Sequence, residues 1–367
     1  MVRSRAMLHR AVMLFAVLIF AVSALWSCGP KHSFVDGVCT DCGEVCTHER
    51  TRTSSGREAT CDSDGMTKEV ECAVCRMTLT KGVVIKGGHT YKDNACTRCG
   101  AALRVSLGLS FVSSGDGTCY VNGIGSCTDT ELVIPSHSPD GDAVVAIDNS
   151  AFRSNPDITS ITVLEGVGSI LGEAFAWCDS LNKVVLPDSL TDIGESAFYM
   201  CPALMTLEIP DGVKTIGESA FFGCENLSSV TLGKGITEIG DYAFSSCPSL
   251  EEIAVPEGNE AYLAKDGNLY TSDMAILVQY AVGRGDESFT VPDGVLAIGA
   301  GAFRGCESLS SISMYGSVIS INPYAFDGCT SLSRVYYAAT APEWQRVEIG
   351  EGNEPLYEAR MLYNFIN

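Results

Sequence analysis

The chain has 367 residues, 46% of them hydrophobic, enough for roughly two or three folded domains rather than a disordered polymer. Its net charge of -21 is unevenly spread: residues 1–100 carry 13 basic and 10 acidic side chains, residues 101–367 carry 11 and 35. So negative a field excludes nucleic acid as a partner of the larger part and leaves cationic partners, calcium or plain solubility as its uses.

The chain opens as a targeting segment. Arg3, Arg5 and Arg10 precede an uncharged apolar run, Ala11–Trp26, of 16 residues. A membrane-spanning helix needs about 20, so the spacing predicts a signal peptide over residues 1–27. Leu25-Trp26-Ser27-Cys28 resembles a bacterial lipobox, in which Cys28 would carry lipid after cleavage. Trp26 departs from that pattern, since a small residue is usual there. Lipidation, ordinary cleavage and an uncleaved anchor all stay open, and the membrane enters only through this segment.

Residues 28–104 read as a cysteine-rich module. His32…Cys39-x2-Cys42-Gly43 and His89…Cys96-x2-Cys99-Gly100 share one form at an offset of 57 residues, an internal duplication. Cys72-x2-Cys75 and Cys96-x2-Cys99 stand 20 residues apart, which is zinc-ribbon spacing. Each C-x2-C turn lets two thiolates reach one tetrahedral metal, and Cys39 and Cys42 offer a third pair. An exported chain also favours disulfides, and the eight cysteines from Cys39 to Cys99 are an even number. Structural zinc on these six residues, or disulfides in its place, are therefore both carried forward. Further on, Cys119 and Cys127 flank a hairpin-like stretch across which they could pair.

Beyond residue 104 the dominant signal is a repeat. Ala-Phe recurs at Ala151, Ala174, Ala197, Ala220 and Ala243 in steps of 23 residues, and again at Ala302 and Ala325. One unit is Leu204–Asn226. Apolar residues at its positions 4 and 6 alternate with polar ones, which is strand spacing. Position 18 is the Phe, expected to fill the centre of a coil behind a small Ala at the corner. Position 21 is cysteine in Cys178, Cys201, Cys224, Cys247, Cys306 and Cys329, a structural ladder of small buried thiols. No unit buries its own apolar face, so the units must stack into a solenoid sharing one core. The reading for residues 105–367 is a β-rich α/β solenoid, right-handed, with a parallel sheet. The register breaks once, between Ala243 and Ala302. The extra residues fall within 257–286, where Lys265-Asp266-Gly267-Asn268 predicts the turn of a β-hairpin bulging from the solenoid.

These units resemble the BspA-like, or Treponema pallidum-type, leucine-rich repeat family. Leu204–Asn226 matches its pattern at each fixed position, and Asn259, Tyr262, Asp266-Gly267, Leu269 and Tyr270 are similar to an insertion that its members carry. Residues 341–367, from Glu343-Trp344 to Tyr363, resemble its closing cap. The resemblance implies a leucine-rich-repeat fold and a surface role in adhesion, binding a host or matrix protein. It transfers no contact residue, because the motif defines the core.

No Gly-x-Ser-x-Gly elbow, His-Glu-x-x-His or phosphate loop is present, and His137 is the only histidine after the cysteine-rich module. The expectation is a secreted or surface-anchored, non-catalytic protein that binds a protein partner; a structural envelope protein acting through self-association is the alternative. The solenoid's strand face is the expected contact surface; its outward positions (Ser160, Thr162, Lys183, Val185, Thr206, Glu208, Ser229, Thr231, Ser311, Ser313, Arg334 and Tyr336) are mainly small and hydroxylated and hold no aromatic cluster, which predicts extended polar contacts or a site elsewhere.

Overall fold

The computed structural model describes residues 104–364 and, before them, nine strands of two or three residues between residues 34 and 96. The chain divides into two compact units, residues 1–103 and 104–367. In the first, Phe34–Val35 pairs antiparallel with Val38–Cys39, and Tyr91–Lys92 with Ala95–Cys96. Phe34 faces Cys39 and Tyr91 faces Cys96, the same register 57 residues apart, so the duplicated motif is duplicated in backbone too.

The second unit is a stack of coils, each with three sides. The strand side holds Glu131–Ile134, Ser160–Val163, Lys183–Val185, Thr206–Glu208, Ser229–Thr231 and Glu252–Ala254. After the register break come Ser288–Thr290, Ser311–Met314, Arg334–Tyr337 and Arg360–Tyr363, paired in parallel. Alternation decides which residues face inward: Leu207, Val230, Ile253, Ile312 and Val335 are buried, and their neighbours are not. The short-strand side is a second parallel ladder, including Ser169–Ile170, Asp192–Ile193, Thr215–Ile216 and Glu238–Ile239. An antiparallel pair, Ser110–Ser113 with Thr118–Gly123, starts that ladder.

The third side corrects the α/β expectation. It is built of turns; the described residues hold only two short α-helices, Ala341–Trp344 and Glu354–Glu358, and one 3-10 turn, none of them at an Ala-Phe corner. Two residues per coil are left-handed, for example Ser196 and Met200, both at φ 54°. A helix cannot pass through such residues, so the chain makes successive tight turns instead. Ala197 N–H closes onto the Gly194 carbonyl and Tyr199 N–H onto that of Ser196.

Inside the coils the phenylalanines stack. Phe152, Phe175, Phe198, Phe221 and Phe244 lie in one column, with neighbouring ring centroids 5.1 to 5.6 Å apart and planes within 9°. A second column runs from Tyr280 through Phe303 to Phe326. The apolar core accordingly falls into two clusters, one ending at Leu269 and the other beginning at Tyr270.

The break lies in the inserted strands, and they do not bulge. Tyr262–Lys265 and Asn268–Thr271 form a hairpin across Asp266-Gly267, both left-handed, and Ile276–Gln279 pairs antiparallel with the second strand. Asn268, Leu269 and Tyr270 are fully buried, the Ile253 N–H donates to the Gly267 carbonyl, and Ile276–Gln279 continues in parallel into Ala297–Ile298. The insertion replaces a coil within the stack, because burying Leu269, Tyr270, Leu277 and Tyr280 removes more apolar surface from water than a projecting hairpin could. Gly301 marks how tightly the next coil then closes: at φ 63°, any Cβ there would collide with Ser245 and Tyr242.

Candidate binding surface

The ladder cysteines are all free and buried. Each thiol except that of Cys306 donates to a phenylalanine carbonyl of the preceding coil: Cys178 to Phe152 at 3.2 Å, Cys201 to Phe175 at 3.1 Å, Cys224 to Phe198 at 3.4 Å, Cys247 to Phe221 at 3.3 Å and Cys329 to Phe303 at 3.2 Å. The thiol reaches a carbonyl that a turn bond alone would leave half satisfied. Asn155 fills the same position in the first coil from the other side, accepting from the N–H groups of Asp157 and Ile158. Cys119 and Cys127 are also free thiols and form no bridge; Cys119 donates to the Asp142 carbonyl.

Burial pushes the ladder thiols up, to about 11 for Cys178 and about 12 for Cys247. Below the usual thiol value of 9.0, folded and unfolded chains hold these protons equally. Above it the unfolded chain ionises and the folded chain does not. The ladder's contribution is therefore complete below about pH 9 and is lost as pH rises from there through about 11 to 12, at up to ~1.4 kcal/mol per pH unit per thiol. Urea midpoints measured from pH 8 to 11 should fall steeply. The double variant Cys201→Ala, Cys224→Ala should fall less steeply, and an equal slope would show that the buried tyrosines, not the thiols, carry the effect. The same burial makes these thiols poor nucleophiles.

Among the described residues no three His, Cys, Asp or Glu side chains come close enough to hold a metal. His137 is exposed and bonds only Ser136 through its side chain. Cys28, Cys42, Cys75 and Cys99 lie outside the described residues. Cys39, Cys72 and Cys96 fall in short strands whose side chains are likewise outside them.

The turn side carries what the strand side lacks. Trp177, Tyr199 and Phe222 come from three successive coils and touch, with centroids 5.0 and 5.1 Å apart. All three are half-buried, with Met200 beside them. A guanidinium closes each end of the row. Arg153 lies 4.4 Å from the Trp177 ring centre and pairs with Glu173. Arg304 lies 5.1 Å from Phe222 and 5.3 Å from Tyr324, and pairs with Asp327 at 3.0 Å. Tyr242 packs edge-on against Tyr324. The row thus crosses the register break, joining side chains from before and after the insertion. Two of the 11 basic residues beyond residue 100 are committed to it.

A repeating coil with strands on one side, turns on another and a Leu-x-x-Val-x-Leu frame between them defines a leucine-rich-repeat β-solenoid. A family model described as BspA type leucine rich repeat region matches residues 145–264 and 285–344 in six copies. The chain belongs to that family. A search of curated proteins finds no match. Among solved structures, a leucine-rich repeat protein from Eubacterium ventriosum is similar at 22% identity and TM-score 0.51, over 64% of this chain and 71% of that one. The pneumococcal vaccine antigen PcpA is similar at 19% identity and TM-score 0.49, over 68% and 77%. A leucine rich cell surface protein from Faecalibacterium prausnitzii is similar at 20% identity and TM-score 0.41, over 67% and 97%. These identities speak for the fold alone.

Proposed function

We propose that this protein is a non-catalytic, exported surface protein whose solenoid binds a protein partner through the aromatic row of the turn side. The observation that carries the reading is the row itself. Trp, Tyr and Arg dominate binding energy at protein interfaces. Here their rings are held by one another and by flanking ion pairs, so little side-chain freedom is lost on contact. The strand side offers mainly hydroxyls and scattered charges, with Val185 and Tyr336 lying in separate coils. Export rests on the N-terminal sequence, with Cys28 as the lipid attachment point; among the described residues no helix is long and apolar enough to cross a membrane. The cysteine-rich module serves as a spacer stabilised by zinc or by disulfides.

Binding of the full chain to immobilised extracellular-matrix proteins tests the reading. Trp177→Ala with Tyr199→Ala should weaken any capture by at least about tenfold, while Thr206→Ala with Glu208→Ala on the strand side should leave it unchanged. The reverse pattern would sink the assignment to the turn side. Light scattering that finds stable oligomers dissociated by the Trp177/Tyr199 pair would favour self-association through the same row.

A further inference from the structure

Main-chain hydrogen bonds along the turn side all run one way. Ser196, Phe198 and Met200 N–H donate to the carbonyls of Glu218, Ala220 and Phe222, and Ser219, Phe221 and Gly223 donate to Asp241, Ala243 and Ser245. On the short-strand side the return bonds run from Gly217 N–H to the Ile193 carbonyl and from Gly240 N–H to that of Ile216. Each coil therefore offers its successor donors on the turn side and an acceptor on the short-strand side.

The coil Ile239–Phe244 has no regular successor. The regular rung bonds resume only one coil further on, where Tyr280 N–H and the Gln279 amide donate to the Ala302 carbonyl. There too Gly299 N–H donates to the Leu277 carbonyl, the short-strand bond that the Ile239 carbonyl lacks. Among the described residues the N–H groups of Tyr242 and Phe244 and the carbonyl of Ile239 consequently find no partner. In their place is a cleft of about 160 Å³, lined by Ile239, Tyr242, Phe244, Tyr262, Val278 and Ala300. That is room for on the order of ten waters. The Tyr262 hydroxyl already stands in for a missing carbonyl, accepting the Ile239 N–H at 2.9 Å.

The other ends of the ladder show what such an edge accepts. At the C-terminal end Phe326 N–H donates to the Asn353 side-chain carbonyl, and at the break the Gln279 amide donates to Tyr280 and Ala302. Both fillers are neutral amides. Charge argues the same way, since Glu218 and Asp241 act on Tyr242 and Glu238 acts on Tyr262, against the single guanidinium of Arg304. A carboxylate would be repelled and a neutral amide would not.

We propose that this cleft docks the main chain of an extended, uncharged peptide segment of a partner protein, which supplies the missing rung by donating to the Ile239 carbonyl and accepting from Tyr242 and Phe244 N–H. This is strand addition at a broken ladder, with specificity limited to small or apolar side chains by Ile239, Val278 and Ala300. The cleft borders the aromatic row at Tyr242 but engages that residue's main-chain N–H and not its ring, and its test does not depend on whether the row binds anything.

Amide exchange followed by NMR on the full chain tests it, using N-acetyl-trialanine amide as the neutral probe and sodium acetate as the anionic one. In the free protein the Tyr242 and Phe244 amides should exchange at least about 100-fold faster than those of Ser219 and Phe221. The capped peptide at millimolar concentration should slow both by about tenfold, and acetate should not. Val278→Trp, which fills the cleft, should abolish the peptide effect. Equal protection by acetate would make the site an anion site. No protection by the peptide at its solubility limit, or protection that persists in Val278→Trp, would overturn the proposal, and the wild-type titration alone suffices for the first of these.

Discussion

Phe198→Ala should unfold the first half of the solenoid and leave the second standing. Phe198 is fully buried, with Phe175 at 5.3 Å and Phe221 at 5.2 Å on its two faces. Removing a buried Phe costs ~3–5 kcal/mol through lost transfer energy and the cavity left behind. A stack cannot close that cavity by collapse, because the spacing of the coils is set by their main-chain ladders. In a solenoid each coil touches only its neighbours, so a weakened coil also weakens the two interfaces it shares. The loss would be a large share of the ~5–15 kcal/mol that holds a typical domain. It should not travel past the insertion. The apolar core divides at Leu269/Tyr270, and the layer between the parts is polar, with Ser245, Asn268 and Gln279 all buried. Phe326→Ala is the mirror experiment on the second column. Tryptophan fluorescence separates the two outcomes in single-tryptophan backgrounds that keep either Trp177, in the first block, or Trp344, which packs on Tyr337 in the second. Phe198→Ala should lower the urea midpoint seen by Trp177 and spare that seen by Trp344; Phe326→Ala should do the opposite. One shared midpoint in both variants would show that the polar layer transmits cooperativity, and that the two clusters act as one core.

What the sequence made legible follows from how each feature is encoded. The phenylalanine column and the cysteine ladder are single side chains recurring at a fixed step, and one residue type suffices to see them. The outward polar positions of the strand side follow from alternation alone. The turn side lacks the helix that an α/β solenoid implies, although most of its left-handed residues, Glu173, Trp177, Ser196 and Met200 among them, are not glycine. No propensity marks such positions; the stacked main-chain bonds impose them. The aromatic row was missed for a related reason. Tyr199 and Phe222 directly follow the Ala-Phe pair of their units and Trp177 stands one residue further on in the unit before, a pattern open to inspection. Arg304 and Tyr324, which complete the row, arrive from beyond the insertion, and only the way the insertion fits into the stack brings them there. A hairpin bulging outward would have left the two halves farther apart. The unpaired edge at Tyr242 and Phe244 has no side-chain signature at all, since it is a property of main-chain groups whose usual partners are displaced.

The C-terminal end of the stack should depend on one side chain, Asn353. It is 1% exposed and makes the bonds that a further coil would have made. Its side-chain carbonyl accepts Phe326 N–H at 2.9 Å, and its amide donates to the carbonyls of Asn322 at 3.0 Å and Gly350 at 2.9 Å. Asn353→Ala leaves the buried Phe326 N–H and the part-buried Gly350 carbonyl without partners, while the Asn322 carbonyl keeps only its bond from Ala325 N–H. At ~1–3 kcal/mol for each group so stranded, a net loss of about 3–5 kcal/mol is expected once partial access of water is allowed for. Asn353→Asp distinguishes hydrogen bonding from mere packing, because the shape is kept. An ionised carboxylate could still accept from Phe326, but it would face two carbonyls with nothing to donate, in a site that excludes water. Its folded pKa should therefore stand above the ordinary carboxylate range. The sign follows: the protonated acid, able to donate once, is favoured in the fold, so the stability it restores is present below the unfolded carboxylate pKa and is lost as pH rises through the folded one. Asn353→Asp should thus be nearly as damaging as Asn353→Ala at pH 7 and recover relative to it towards pH 4. Urea unfolding of both variants at the two pH values, read at Trp344 beside the cap, measures this. If the two variants track each other at every pH, Asn353 acts by filling space, and the end of the ladder is satisfied by water.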